Sequence, residues 1–174
     1  MDPLSQLSRE DLEALTWVYA RQCMAIDGYW FMKVEDRWGH ETAFDLDLKV
    51  WERLSAIEAR RVARALKLKD SSMGEILRAF TYSPTWLTLG LQADLIDENQ
   101  AVLTTTDCFV QKNRLEQGRV EFACKPIGQL TVAAFARALD PNIRVTCHFC
   151  PPDPHPPDGW CRWQLYRDSP SGLR

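Results

Sequence analysis

The chain has 174 residues, a net charge of −3 and a pI near 5.6, with 45% hydrophobic and 26% charged residues. These values are typical of a soluble globular domain that is long enough to bury a hydrophobic core. No basic patch or arginine-rich arm is visible, which argues against a nucleic-acid partner. No apolar run approaches the length of a membrane span, so we expect no membrane partner.

Residues 1–6 lack the basic and apolar regions of a signal peptide, which predicts a cytoplasmic protein. Structural disulfides are rare in that compartment. We predict a single domain over residues 1–174. Its mainly helical part covers residues 1–81, an antiparallel sheet with one helix covers residues 82–168, and a flexible tail covers residues 169–174.

Three helices are predicted in the first part of the chain. Ser8 is the expected N-cap of the first helix. Gly28 interrupts the pattern, and residues 29–39 predict further helix, either separate from the first or continuous with it, that ends at Gly39. The longest helix is predicted over residues 41–67, and a short one over residues 72–80. The buried stripe predicted for the first helix consists of Leu12, Leu15, Val18, Tyr19, Gln22, Cys23 and Ile26.

Two carboxylates fall on apolar faces of these helices, Glu35 on the first and Glu58 on the second. A carboxylate in such a position costs free energy unless it is paired or bound. One interpretation is an ion pair of Glu58 with Arg60 or Arg61, or a hydrogen bond to the backbone. The other is that Glu35 and Glu58 line an internal polar site, with Asp47 as a further candidate.

Alternating residues in the second part predict a hairpin with strands at 86–96 and 101–108. Residues 97–100 have the composition of its turn. A polar segment at 111–119 then leads to a helix predicted over residues 125–139.

The richest chemical signal is the stretch 147–161, which carries three cysteines and two histidines. Strands are predicted on either side of it, over residues 143–147 and 160–166. The prolines between them cannot join a ladder because proline has no N–H to donate. The predicted structure is therefore an antiparallel strand pair closed by a stiff loop.

The register of this strand pair decides which thiols meet. If Phe149 lies opposite Trp160, then Cys147 falls near Cys161, and Cys150 lies at the mouth of the loop. That arrangement brings three soft ligands together.

Thiolate and imidazole are the ligands of zinc and of iron–sulfur clusters, and His155 is expected above the thiols on the loop. The spacing is Cys-x2-Cys-x4-His-x5-Cys. Two other interpretations stay open. One is a hairpin with buried, inert cysteines. The other is a Cys147–Cys161 disulfide, which the predicted compartment disfavours.

Three further cysteines lie outside this stretch. Cys124 begins the last predicted helix, where the helix N-terminus favours a thiolate that serves as a ligand or a nucleophile. Cys108 ends a predicted strand and is expected on the same side, whereas Cys23 is expected in the core. With zinc as the predicted metal and an iron–sulfur cluster as the alternative, the candidate ligands are Cys124, Cys147, Cys150, Cys161, His155 and Cys108.

The chain resembles the 4-vinyl reductase type of small-molecule-binding domain in the order of its elements. That order is helices, a hairpin, a cysteine that opens a helix, and two strands with further cysteines. This resemblance covers roughly residues 70–167, with Cys124, Cys147 or Cys150, and Cys161 at the cysteine positions. It implies the α+β fold that the ligand-binding domains of nitric-oxide signalling and Golgi transport proteins share, together with a small-molecule ligand. The hairpin loop here is longer and proline-rich and carries a histidine, which departs from that pattern and favours a metal.

A second resemblance covers nearly the whole chain. It is to uncharacterised prokaryotic cytosolic proteins related to the L-2-amino-thiazoline-4-carboxylic acid hydrolase-like group, and it implies an α+β domain. The segments that carry it are Gly28-Tyr29-Trp30-Phe31 with Glu35, Val50-Trp51-Glu52-Arg53, Ile57-Glu58-Ala59-Arg60-Arg61, Glu121-Phe122-Ala123-Cys124-Lys125-Pro126 and Cys147-His148-Phe149-Cys150-Pro151-Pro152-Asp153-Pro154-His155.

Together these patterns predict an α+β domain with N-terminal helices packed on an antiparallel sheet. The predicted function is a zinc-binding cytosolic domain that binds or senses a small molecule. One alternative is a hydrolase of a C–N bond in a small heterocycle or amide, in which zinc-activated water or Cys124 attacks and Glu58 or Glu35 is the general base. Others are an iron–sulfur or redox-sensing protein and an interaction module, because the tryptophan-rich helices can form a homodimer face as readily as a core.

Overall fold

The computed structural model describes residues 2–168 as an α+β fold. The helices are α1 (Arg9–Trp38), α2 (His40–Ala65), α3 (Met73–Thr81), α4 (Pro84–Leu87), α5 (Phe109–Glu116) and α6 (Lys125–Leu139), after a short 3-10 turn at Pro3–Gln6. The strands are β1 (Leu91–Leu95), β2 (Gln100–Thr105), β3 (Ile143–Phe149) and β4 (Cys161–Arg167). They form one antiparallel sheet in the order β1-β2-β4-β3.

The α+β prediction is confirmed, and the predicted tail at 169–174 lies outside the described residues. Across the range that the structure describes, no helix combines the length and the apolar composition that crossing a bilayer requires.

The ends of the first helix follow local sequence chemistry. The Ser8 hydroxyl accepts a hydrogen bond from the backbone N–H of Asp11, and the Asp11 carboxylate accepts one from the backbone N–H of Ser8. The helix runs through Gly28 without a break and ends at Gly39, whose φ of 87° suits glycine. The predicted Ser8 cap and the end at Gly39 are confirmed, as is the helix over residues 125–139.

The buried stripe predicted for α1 is wrong. Ala20 and Met24 are the residues of this helix that are buried, and they lie one helical turn apart. The residues that were expected inside but are exposed are Leu12, Val18, Tyr19, Gln22, Cys23 and Ile26. Because α1 carries apolar residues on more than one face, its periodicity alone does not identify the face that packs against α2 and α4.

The region around the first hairpin also differs from the prediction. The N-terminal part of the expected strand at 86–96 is the short helix α4, because Ser83 caps it and Pro84 occupies its first position. The polar segment after β2 forms helix α5, and Cys108 is the N-cap of that helix instead of the end of a strand. The second part of the chain therefore contains three helices in place of one.

The β3–β4 register differs from the predicted pairing. Cys147 pairs with Trp163 and Phe149 pairs with Arg162, with an irregularity between Cys147 and Phe149. The predicted pairing of Phe149 with Trp160 is therefore wrong. Cys147 and Cys161 still face the same side of the sheet, since side chains two residues apart on a strand share a face. They are not opposite each other, and all six cysteines are free.

The inward face of the sheet is covered by α3 and α6, and α2 packs along α6. Trp163 is buried in the middle of this layer, with 1% of its surface exposed. A Cβ atom at Gly128 of α6 would lie 2.6 Å from Cζ2 of the Trp163 indole. Gly128 is therefore the residue that lets α6 approach the sheet closely.

We expect Gly128→Ala to lower the free energy of unfolding by roughly 1–3 kcal/mol, because the added methyl group forces the rigid indole or α6 to move. Urea unfolding measures this change. Gly74→Ala in α3 is the matched control, since a Cβ there meets nothing within 4 Å. It should be neutral or stabilise by up to about 1 kcal/mol, and an equal loss in both variants would contradict this packing.

Candidate functional site

A cavity of about 520 Å³ lies between the helices and the inward face of the sheet. Residues of α1, α2, α4, α5, α6, β2 and β4 contribute to its wall. Its large apolar lining residues include Met24, Phe31, Trp51, Trp86, Phe122 and Ile127. The cavity therefore has the mostly apolar wall that is typical of small-molecule sites.

Four cysteines meet at the sheet end of this cavity, and we call them the thiol cluster: Cys108, Cys124, Cys150 and Cys161. The Sγ atoms of Cys124 and Cys150 are 3.4 Å apart. Cys150 is also hydrogen-bonded to Cys161. Cys150 thus lies between two other thiols and links α6 to the start of β4.

The thiols differ in acidity because their surroundings differ. The hydrogen bond from Cys150 lowers the pKa of Cys161 to about 7. Burial opposes this shift, and the nearby Thr105 and Trp163 side chains add to it. Burial raises the pKa of Cys108 to about 12. Hydrogen bonding to Cys124 and Cys161 raises the pKa of Cys150. Of Cys108, Cys150 and Cys161, Cys161 is therefore the thiol that most readily becomes a thiolate.

Backbone contacts of the proline-rich loop bring the thiols together. The first N–H of α6, on Lys125, donates to the carbonyl oxygen of Pro151 at 2.9 Å, which places Cys124 beside Cys150. This bond also satisfies one of the N–H groups that a helix leaves free at its start. On the other side, the N–H of Trp160 donates to the carbonyl oxygen of Thr105 at 2.8 Å.

Gln111 of α5 holds the segment before Cys124 in place. Its side chain donates to the carbonyl oxygen of Phe122 and accepts from the N–H of Phe122, both at 2.8 Å. Its Nε2 also lies 3.4 Å from Cys124 Sγ. The sequence analysis placed Gln111 in a polar linker, and no periodic signal identified it as a buried residue.

Two polar atoms at this end of the cavity are buried and have no hydrogen-bond partner among residues 2–168. They are Thr105 Oγ1 and Trp163 Nε1. Both residues line the cavity next to Cys161, and their dipoles favour its thiolate, but neither atom makes a hydrogen bond of good geometry to its sulfur. A buried donor without a partner costs roughly 1–3 kcal/mol.

The remaining predicted metal ligands lie outside the cavity. Cys147 faces inward beside the cluster, and burial raises its pKa to about 11. His155 Nε2 lies 3.6 Å from Glu121, and its ring packs on Trp160 with the centroids 5.0 Å apart. The structure does not bring His155 to the thiols. Within the described part of the chain, no three His, Cys, Asp or Glu side chains are arranged as a metal centre.

The predicted general bases are both engaged elsewhere. Glu35 makes two 3.1 Å hydrogen bonds to Arg114, and it also pairs with Arg119 at 2.5 Å and with His40 at 2.7 Å. Burial opposes ionisation, but these bonds from Arg114 and His40 lower the pKa of Glu35 to about 2. A carboxylate with so low a pKa is a weak base.

Glu58 accepts hydrogen bonds from the N–H of Thr85 at 3.1 Å and from its hydroxyl at 2.9 Å. The predicted bond to backbone is therefore present, and the alternative pairing with Arg60 or Arg61 is not seen in residues 2–168. Burial, opposed by the bonds from Thr85, raises the pKa of Glu58. Neither Glu58 nor Glu35 lines the cavity.

Three other carboxylates do line the cavity: Asp27 of α1, Asp47 of α2 and the exposed Asp107, which pairs with Lys112. Asp47 was a candidate from its helical position, and Asp27 was missed. The available signal was that Asp27 lies one helical turn before Phe31 on an otherwise apolar surface.

Comparison with known proteins assigns the chain to a family. A family profile matches residues 5–166, and its description is a family of unknown function, DUF6125. The chain therefore belongs to that family. Searches of curated proteins and of solved structures found no match. Since the family description names no activity, the resemblances to hydrolase-like and vinyl-reductase-type proteins stay predictions.

We expect Glu35→Gln to lower the free energy of unfolding by roughly 3 kcal/mol, because it leaves the buried Arg114 charge without its carboxylate. The loss should shrink as the pH falls from 4.5 toward about 2, where Glu35 itself becomes protonated in the folded chain. Glu13→Gln, which removes an exposed ion pair with Arg9, should change stability by less than about 0.5 kcal/mol. Chemical denaturation of both variants tests this, and similar losses would contradict the buried pairing.

Proposed function

We propose that the chain is a small-molecule-binding domain whose ligand occupies the cavity between the helices and the thiol cluster. The observation that carries this proposal is the pair of unpartnered buried atoms, Thr105 Oγ1 and Trp163 Nε1, at the sheet end of an apolar cavity. A ligand with a hydrogen-bonding group at that end would satisfy them. The volume, about 520 Å³, falls within the range of roughly 300–1,000 Å³ that drug-sized ligands occupy.

A sensing role is consistent with how α1 is attached. This helix has 30 residues and buries Ala20 and Met24, yet it forms one wall of the cavity. Ligand contacts would therefore add substantially to the contacts that hold α1 against the domain. A bound ligand would therefore make α1 more ordered than it is in the free chain.

Zinc binding at the thiol cluster is a second candidate function, favoured by the position of Cys150 between Cys124 and Cys161. Two thiolates on a tetrahedral zinc lie about 3.8 Å apart, and the Cys124–Cys150 sulfur distance is 3.4 Å. A small outward movement would therefore accommodate an ion. Cys147, which faces inward beside these three, is the fourth ligand of this proposal. Free thiols on all six cysteines suit a reducing compartment, and we propose the cytoplasm.

A cavity-filling variant tests ligand binding. Gly28 lines the cavity, and a Cβ there meets nothing within 4 Å. Gly28→Phe should therefore fill the cavity without a clash at its Cβ atom. We expect thermal unfolding with a panel of aromatic fragments to identify compounds that raise the Tm of the unaltered chain but not of Gly28→Phe.

The matched control is Gly74→Phe, which places the same side chain at an open position outside the cavity. It should retain the response to every fragment. A panel without any stabilising fragment, or fragments that stabilise Gly28→Phe equally well, would contradict the proposal.

Elemental analysis of protein purified without oxygen tests the zinc proposal. We expect about one zinc per chain, lost in Cys150→Ser together with stability. Cys23→Ser is the matched control, because Cys23 is exposed on α1, and it should retain the metal. Absence of metal from the unaltered chain, or its retention in Cys150→Ser, would overturn zinc binding at this cluster without bearing on the cavity.

A further inference from the structure

Two half-buried carboxylates lie near each other in the helical wall of the cavity. Asp27 belongs to α1 and Asp47 to α2, and both line the cavity. The side chain of Trp51, which is 6% exposed, lies close enough to both carboxylates to favour their ionised forms. The two groups are close enough for the charge of Asp27 to act on Asp47.

No cation in the described residues forms an ion pair with Asp27 or Asp47. Arg21 also lines the cavity, but its guanidinium lies over the Trp17 ring, 5.6 Å from the ring centroid. Arg114 is held by Glu35 through two hydrogen bonds. Burial of a carboxylate is expensive unless a positive group compensates it.

The pKa values of Asp27 and Asp47 are raised, as expected for carboxylates without a nearby positive partner in residues 2–168. Burial, opposed by the nearby Trp51 side chain, raises the pKa of Asp27 to about 6. Burial and then the nearby Asp27 charge raise the pKa of Asp47 to about 7. Asp27 and Asp47 therefore contribute little to the stability of the folded chain.

The opposite wall of the same cavity offers an independent sign of a ligand. Thr105 Oγ1 and Trp163 Nε1 are buried on the sheet side without a partner in residues 2–168. An apolar section that includes Phe31, Trp51 and Phe122 completes the cavity wall. The cavity thus has an anionic end, an apolar middle and an end with unpaired polar groups.

We infer that Asp27 and Asp47 bind the positively charged nitrogen of an organic amine whose apolar body fills the cavity and whose polar far end reaches Thr105 and Trp163. This inference rests on the proposed binding of a small molecule in the cavity and names its chemical class. An ammonium group supplies both the charge and the N–H donors that two carboxylates accept.

An organic cation fits this wall better than a metal ion. Aromatic faces attract organic ammonium groups, and Trp51 lines the cavity beside the two carboxylates. Its N–H is a donor and offers a metal ion no ligand. Magnesium and calcium take six or more oxygen ligands. In residues 2–168, the side chains around Asp27 and Asp47 form no such cluster.

The test compares 1-naphthylmethylamine with its neutral isostere 1-naphthylmethanol by titration calorimetry at pH 8. We expect the amine to bind at least about tenfold more tightly than the alcohol, as charge-assisted hydrogen bonds predict. In the double variant Asp27→Asn with Asp47→Asn this preference should fall below about threefold. The loss of affinity should fall mainly on the amine, because the alcohol carries no charge for the two carboxylates to bind.

The matched control is Asp45→Asn, an exposed carboxylate on the same helix α2 that pairs with Lys49. It should keep the full preference for the amine. The two asparagine substitutions remove half-buried charge that has no positive partner in residues 2–168, and the Tm of the double variant should equal or exceed that of the unaltered chain.

Equal affinity of the unaltered chain for the amine and the alcohol would overturn the inference and leave the proposed binding function intact. A preference that survives in the double variant, or in Gly28→Phe, would also overturn it, because the amine would then bind elsewhere. Failure of both probes to bind at millimolar concentration would contradict the proposed binding function and this inference together.

Discussion

The close approach of α6 to the sheet, at Gly128 over the indole of Trp163, is the contact on which the other features of the site depend. It sets the position of the N-terminus of α6, where Cys124 lies beside Cys150. It also buries the indole N–H at the sheet end of the cavity without a partner in residues 2–168. Because Gly128 has no side chain, the close packing of α6 on the sheet also determines where the thiols and the indole N–H lie in the cavity.

A second constraint fixes the opposite side of the cavity. The bidentate pair between Glu35 and Arg114 joins the end of α1 to α5 through groups that are mostly buried. Gln111, one helical turn earlier on α5, holds the backbone of Phe122. Together they position the segment that leads into Cys124, so α5 connects the ion pair to the thiol cluster. Glu35, a candidate general base from the sequence, is therefore held in an ion pair that joins α1 to α5.

The sequence predicts elements that rest on local chemistry and misses arrangements that rest on tertiary contacts. The capping box at Ser8 and the helix over residues 125–139 follow from nearby residues and are confirmed. The exposed stripe of α1 and the register that pairs Cys147 with Trp163 depend on which faces the rest of the chain covers. Convergence of Cys124, Cys150 and Cys161 was foreseeable from the predicted strand pair and the start of the last helix, but the role of the loop carbonyl of Pro151 was not.

The indole N–H resonance of Trp163 tests the central claim, ligand binding in the cavity, most directly. In nitrogen-15 correlation spectra of the chain with a stabilising fragment, this resonance should shift, because the fragment supplies the missing partner. The indole resonance of Trp38, which is 60% exposed at the end of α1, should stay in place. A fragment that binds and leaves the Trp163 resonance unchanged would contradict the account.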